Sequence, residues 1–596
     1  MSSSPQTLQL RRTVNRLARS LVTPGRLMLE TSPATAALRH AATRRYGRSH
    51  GRGWTAVALF GSIIVGLPVI VVALNLAAPA GEVWRHLAAT VLPSYIANSL
   101  WLILGVGVGV TVGGTAAAWL VTMCRFPGRA VFEWALVLPM AMPSYVVAYA
   151  YTGFLDYAGP VQSTLRAAFG WNSAREYWFP EVRSLEGAIA VMVMVFYPYV
   201  YLLARAAFLE QSVCVLEAAR TLGRGPWRAF LTVAVPLARP AIVGGAALAL
   251  METLNDFGTV QYFAVDTFTT GIYRTWTGLG EPRAAAQLGA VLMLFVLAVL
   301  ILERASRGGA RFHHTTGRYR PLPRFALTGP ACLAAQAFCA LPVIVGFLVP
   351  AGVLAWWAAE TGPAAWSSAA FWRPAGNSVV LAGLTGVLAV AVALALAYAR
   401  RVRDSAVVNA ATQLAAMGYA IPGSVIAVGA LVPLVALDRA LSAGLGAGLG
   451  GQWGLLVTGS VAALVYAYLV RFLAVALNGV EAGLAKVSPS MEAASRTLGA
   501  NALGTLRRVH LPMLRGSLLS AGLLVFVDAM KELPATLILR PFDFDTLATQ
   551  AYAMAADERL AHAGPPALAI ALAGLVPVVI VSRTIGRSRP GARAEP

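Results

Sequence analysis

Charge is scarce in this sequence: Asp, Glu, Lys and Arg make up 12% of its 596 residues, about half the share of an ordinary soluble chain. Mean hydropathy is +0.66, so a water-soluble enzyme of this length is not expected. Lysine is scarcer still. Of 47 basic residues only two are lysines, Lys486 in Ala-Lys-Val and Lys531 in Met-Lys-Glu. A phosphate-binding P-loop needs Gly-Lys followed by Ser or Thr, so the chain lacks that ATP-binding device. Cysteine is limited to Cys124, Cys214, Cys332 and Cys339; they form no CxxC and none lies in a predicted external loop, so no disulfide is implied. The seven histidines are scattered apart from His313-His314, without zinc-type spacing. No catalytic residue emerges, and any metal site stays unknown.

What is plentiful is apolar length. A helix needs about 20 apolar residues to cross the hydrocarbon core, and twelve such windows occur, near 55–78, 97–123, 130–154, 186–208, 239–263, 284–303, 330–357, 376–399, 407–435, 453–475, 514–538 and 563–582. Lipid leaves backbone donors no partner outside the segment, so these windows predict helices; they lack the alternation of barrel strands. The first window follows 54 residues and is too long for a secretory h-region, which reads as an uncleaved anchor. The expected fold is an all-α polytopic membrane protein with about 12 transmembrane helices.

The net charge of +21 invites a nucleic-acid reading, until the bases are placed. With both termini cytoplasmic and the connecting segments sorted alternately, 36 Lys/Arg fall on the cytoplasmic side and ten outside, with Lys531 inside a span. Six of the 36 are assigned between spans ten and eleven. This asymmetry is the positive-inside bias, and no nucleic-acid partner is expected. Residues 1–54, with ten Arg and no apolar period, are expected to be a disordered cytoplasmic arm; contact with anionic membrane lipid is the alternative reading.

The chain is also written twice. Asn98-Ser99 recurs as Asn377-Ser378 and Pro143 as Pro422, offset by 279, while Gly223 recurs as Gly499 and Pro236 as Pro512, offset by 276. Two six-helix halves follow, 55–304 and 325–583, joined by a cytoplasmic Arg-rich linker, 305–324, with a cytoplasmic tail, 584–596. An even number of spans per half makes the repeats parallel, related by an axis along the membrane normal. After spans four and ten come LEAARTLGRGPWRAFLTVAVPLARPAI and MEAASRTLGANALGTLRRVHLPMLRGSLL, each with Leu-Gly and a closing Val-Pro or Leu-Pro. Small Ala allows close approach, Gly permits a sharp break and Pro suits the first turn of the next helix. The pattern reads as a cytoplasmic helix shaped to dock into a partner.

These loops resemble the signature of permease subunits of binding-protein-dependent ABC importers. The first copy matches it at Glu217, Ala218, Ala219, Gly223, Val233, Val235 and Pro236, and the second at Gly499, Val509, Leu511 and Pro512. Upstream the second copy departs: Glu492 stands one residue early, before Ala493 and Ala494, and Ser495 takes the last small position. The resemblance implies a type I importer permease fold in the bacterial cytoplasmic (inner) membrane and coupling helices that dock two copies of a separate ATP-binding subunit. It also implies an external substrate-binding protein and no enzyme activity in this chain. ATP and Mg would bind the partner ATPase, and this chain would bind no cofactor. Two fused halves, with KELPATLILRPFDFDTLATQAY from Lys531, look most like ferric-iron permeases; thiamine, phosphonate and polyamine permeases are the near alternatives. An ion-driven secondary transporter is the alternative class, disfavoured by the paired loops.

Ionisable residues inside spans are costly. Glu252 and Asp256 are spaced i,i+4, and Asp528 and Glu532 repeat that spacing 276 residues on, with Lys531 in place of Asn255. The expectation is that each pair shares a helix face, facing a common axis about 18–24 Å from the cytoplasmic end. Two readings stand, a translocation path or gate and an interhelical scaffold. Tyr145, Tyr149 and the run Phe196–Tyr201 read as packing or interfacial anchors, and Pro143, Pro198 and Pro422 as helix kinks.

Overall fold

The computed structural model describes residues 33–77, 79, 81–210, 228, 230–307, 324–449 and 455–587. The chain divides into two units, Met1–Ala56 and Val57–Pro596. In the first unit, residues 33–56 are helical. The reason is local: PATAALRHAATRR is rich in Ala and Arg, both strong helix formers.

Among the described residues, eleven helices are long and apolar enough to cross a membrane, and a bent pair makes up to twelve. The third and ninth predicted spans are broken rather than kinked. In the third, Arg129–Ala135 and a 3-10 turn, Leu138–Ala141, precede Pro143, and the helix Ser144–Leu155 departs at 90°. In the ninth, Ala406–Ala416 and Met417–Ala420 precede Pro422 and the helix Gly423–Leu449. A residue before proline is pushed out of the α region, and Met142 and Ile421 are both extended (φ −96, ψ 134 and φ −95, ψ 132). Pro198, by contrast, lies within one helix, Leu185–Glu210.

The fifth and eleventh spans end early too. Val235–Asn255 is followed by the short helix Gly258–Tyr262, and Leu511–Met530 by Pro534–Leu539. Pro534 has no N–H to offer the carbonyl one turn back.

The repeat is visible in three dimensions. Leu92–Met123 packs with Leu185–Glu210 and Val235–Asn255, and Ala369–Val402 packs in the same way with Val461–Leu484 and Leu511–Met530. Close approach in the first triad depends on glycine: a Cβ at Gly109 would lie 2.5 Å from Val193, and one at Gly114 2.7 Å from Val200. Small residues bring membrane helices together in this way. Asn98 and Asn377 do the same work, donating from Nδ2 to the carbonyls of Asp266 (2.8 Å) and Asp545 (2.9 Å). Thr267/Thr270 and Thr546/Thr549 form capping boxes 279 positions apart, each satisfying two free N–H groups at a helix start.

The halves do not close separately, because each lends its first span to the other. Tyr466 of the second half donates to Ile64 O (2.6 Å), and a Cβ at Gly429 would meet Pro68 O at 2.4 Å. Conversely Tyr151 of the first half donates to Val345 O (2.5 Å), and a Cβ at Gly153 would meet Trp357 at 2.3 Å. The linker end joins this exchange through a two-residue parallel pairing, Cys124–Arg125 with Phe325–Ala326.

Candidate functional site

The breaks in spans three, five, nine and eleven converge on one cavity of about 100 Å³. All five ionisable residues singled out within the spans, Glu252, Asp256, Asp528, Lys531 and Glu532, line it, together with Asn255, Tyr145, Tyr199, Tyr419 and Arg471. A second cavity of about 90 Å³ shares Met140, Tyr199, Tyr419, Asp528 and Lys531 and continues past Leu202 and Leu524, towards the end that carries Pro236 and Pro512. On the opposite side, towards Asn98 and Asn377, the space is closed. A Cβ at Gly258 would lie 2.5 Å from Tyr145 and 3.0 Å from Leu533.

The expected i,i+4 faces are not formed. Helix Val235–Asn255 ends before Asp256, whose backbone is extended (φ −63, ψ 130). Its carboxylate caps the next short helix instead. It accepts from Thr259 N (2.9 Å), Val260 N (3.3 Å) and Thr259 Oγ1 (2.9 Å), and also from Ser144 Oγ. Glu532 occupies the equivalent place, accepting from Ala535 N at 3.2 Å. Capping is what acidic residues do best at a helix start, and the spacing alone conceals the break.

The charges are compensated unequally. Glu532 pairs with Arg471 (Nε to Oε2, 2.9 Å), and both side chains are almost wholly buried. Lys531 Nζ lies 3.2 Å from Asp528, the neutralisation within the second half that the replacement of Asn255 by lysine implies. Glu252 takes only the hydroxyl of Tyr419 (3.1 Å) among the described residues. Four carboxylates thus face two cations around the cavity.

Arg471 is the residue that sequence reasoning missed. The count above places it among the cytoplasmic bases even though it lies within the tenth window, 453–475; the helix runs Val461–Leu484 and carries Arg471 midway. The signal was present as one arginine inside VYAYLVRFLAVAL. The aromatic expectation divides. Tyr197 and Tyr201 donate to Leu136 O (2.6 Å) and Glu133 O (2.8 Å) and so tie helices together, and Tyr149 is buried against Tyr145 and Tyr262. Tyr145 and Tyr199 line the cavity. No group of three His, Cys, Asp or Glu set to hold a metal ion occurs among the described residues.

Of the repeated loops, Glu217, Ala218, Ala219 and Gly223 lie outside the described residues, and Pro236 begins helix Val235–Asn255. The second loop is complete. Its helix Pro489–Thr497 carries Glu492, Ala493 and Ala494, Gly499 turns the chain with φ +82, and Pro512 enters the span Leu511–Met530. That φ favours glycine because a Cβ would clash there. Ala493, Ala494 and Leu498 are exposed, Leu498 to 88%. Glu492 instead turns inward. Its Oε1 lies 2.5 Å from Arg401 Nε and 3.2 Å from His510 Nε2, and Arg401 also donates to Leu484 O and Val487 O at 2.5 Å. Burial alone would raise the Glu492 carboxyl; the hydrogen bonds from His510 and Arg401 outweigh it and hold the group below its ordinary 4.5. The acid therefore seats helix Pro489–Thr497 on its own chain.

With this geometry in hand, a family profile described as "Binding-protein-dependent transport system inner membrane component" matches residues 105–304 and 389–593. The chain belongs to that family. As in its other members the polypeptide is a multi-pass inner-membrane transport subunit, here carrying the permease repeat twice. It is 26% identical over 530 residues to the Fe(3+)-transport system permease protein FbpB 2 of Haemophilus influenzae, covering 87% of this chain and 97% of the relative. It is also 30% identical over 201 residues to the molybdenum transport system permease protein ModB of Escherichia coli, covering 33% of this chain and 84% of that protein. A putative 2-aminoethylphosphonate transport system permease protein, PhnU of Salmonella choleraesuis, is 27% identical over 239 residues, covering 39% of this chain and 82% of the relative.

Proposed function

We propose that this permease imports a hard cation, ferric iron, delivered by an external binding protein and driven by two copies of a separate ATPase. The observation that carries the cation is the cavity lining: four carboxylates, two cations and several phenols. Oxygen donors in excess negative charge suit a hard cation and repel an oxyanion such as molybdate or a phosphonate. The full-length likeness to a protein named for Fe(3+) transport supports the same choice.

In this reading both termini are cytoplasmic, the ATPases dock at residues 213–236 and 488–512, and the cavity opens towards them in the resting state. Transport alternates that state with one open to the outside. A ligand shifts such an equilibrium only through unequal affinity for the two states, so ATP and the loaded binding protein both favour the outward-open form. The permease supplies the path and its gates and catalyses nothing itself. Charge along the path is balanced enough to let the cargo leave, which a rigid metal site would not.

Co-purification with the ATPase and assay of ATP hydrolysis in lipid test the reading. Hydrolysis should be stimulated by the loaded binding protein, and removal of residues 488–512 should abolish that stimulation while the membrane fold survives. Undiminished stimulation in the truncated complex, or transport driven by an ion gradient without any ATPase, would overturn it.

A further inference from the structure

The two halves meet at their broken spans, and the repeat allows these contacts to be compared position by position. Asn255 and Lys531 are equivalent, as are Ser144 and Gly423. In one direction the first half reaches the second through Tyr145, whose hydroxyl donates to Lys531 O over a long 3.4 Å. In the other direction two donors from the second half converge on one oxygen of the first. Gly423 N donates to Asn255 Oδ1 at 2.8 Å, and Arg471 Nη1 donates to the same atom at 2.6 Å.

This junction has no twin. The position equivalent to Arg471 is Val195, and Ser144 turns to Asp256 of its own half. Glycine at 423 is what allows the approach: a Cβ there would lie 2.4 Å from Glu532 Oε1 and 2.9 Å from Arg471 Nη1. Arg471 is held for the task by Glu532, with both side chains under a tenth exposed.

We propose that Arg471, Asn255 and Gly423 form a one-sided latch, which keeps the halves closed on the Asn98/Asn377 side of the cavity. A charge-assisted hydrogen bond is roughly twice as strong as a neutral one, and a 3.4 Å contact is near the limit of one. The Tyr145–Lys531 contact therefore parts first; the Arg183–Glu558 ion pair that also joins the halves (3.0 Å) is largely exposed and adds little, so the Asn255 junction governs opening. The second helix of the broken ninth span, which begins at Gly423, moves with Arg471 as one body while the first half swings away. The inference rests on the proposed cycle only in taking this closed side as the one that must open.

Pulsed electron resonance on the permease alone in lipid nanodiscs tests the latch. Native cysteines are replaced and spin labels placed at exposed Tyr157 of the first half and Phe542 of the second. Asn255→Ala removes the shared acceptor, and Arg471→Lys keeps a cation for Glu532 but loses the forked reach to Asn255. Each should raise the population of longer distances about tenfold, the scale of one lost hydrogen bond to a charged group. Asn255→Asp keeps the acceptor and adds an ion pair, and should hold the wild-type distribution. Wild-type distances in Asn255→Ala and Arg471→Lys, or an opened distribution in Asn255→Asp, would overturn the proposal; if Asn255→Ala does not fold, Arg471→Lys decides. No ATPase, binding protein or cargo enters the measurement, so failure of the transport reading and failure of the latch are separate results.

Discussion

Replacing Glu492 with glutamine should unseat helix Pro489–Thr497 without unfolding the membrane body. The carboxylate is 14% exposed and its main partner Arg401 is 22% exposed. A solvent-exposed pair would contribute at most about 1 kcal/mol, and breaking a fully buried one costs about 3–5 kcal/mol. This half-buried pair falls between, and a loss of about 2 kcal/mol follows for Glu492→Gln, which still accepts one hydrogen bond. Arg401 keeps the carbonyls of Leu484 and Val487, so the damage stays local. Amide hydrogen exchange reads such local opening directly, and 2 kcal/mol corresponds to roughly a thirtyfold faster exchange across residues 490–505. The sign with pH is fixed by the depressed carboxyl. Its stabilisation is complete above the ordinary value of 4.5 and is lost as pH falls through the lower folded value, so the difference between variant and wild type should shrink as pH falls below about 4.5. Exchange in this segment unchanged within about twofold, in a variant that otherwise folds, would refute the role given to Glu492.

Two further substitutions separate path from scaffold. Glu252→Gln keeps an acceptor for Tyr419 and should leave thermal stability almost unchanged, yet lower cation uptake by at least about tenfold, because one uncompensated charge is lost in a poorly screened cavity. Asp256→Ala removes the cap of helix Gly258–Tyr262 and should cost about 1–2 kcal/mol of stability in a thermal melt; an unchanged melting temperature would deny its structural duty.

The spans and the repeat were legible in the sequence because each is a local pattern: an apolar window, an offset. Which residues would meet at the centre was legible in part, since ionisable groups inside apolar runs have few places to go. What stayed hidden depends on contacts between distant segments. Whether Pro143 bends or breaks its helix depends on the 3-10 turn before it and on the seating of the next helix, where Gly153 meets Trp357 of the other half. The exchange of first spans leaves no trace in either half alone. Arg471 escaped because it was counted with the bases of the following loop although it lies inside the apolar window 453–475, and its partners Asn255 and Glu532 come from distant segments. Asp256 and Glu532 were found but misassigned, because i,i+4 spacing describes a face only if the helix continues.

Uptake into proteoliposomes bears most directly on the central claim that a cation crosses through this acidic cavity. The permease, its ATPase and its binding protein would be reconstituted together and offered ferric iron, molybdate and 2-aminoethylphosphonate in turn. ATP-dependent accumulation of iron alone, reduced by Glu252→Gln, is the expected result. Accumulation of an oxyanion in preference to iron would contradict the account.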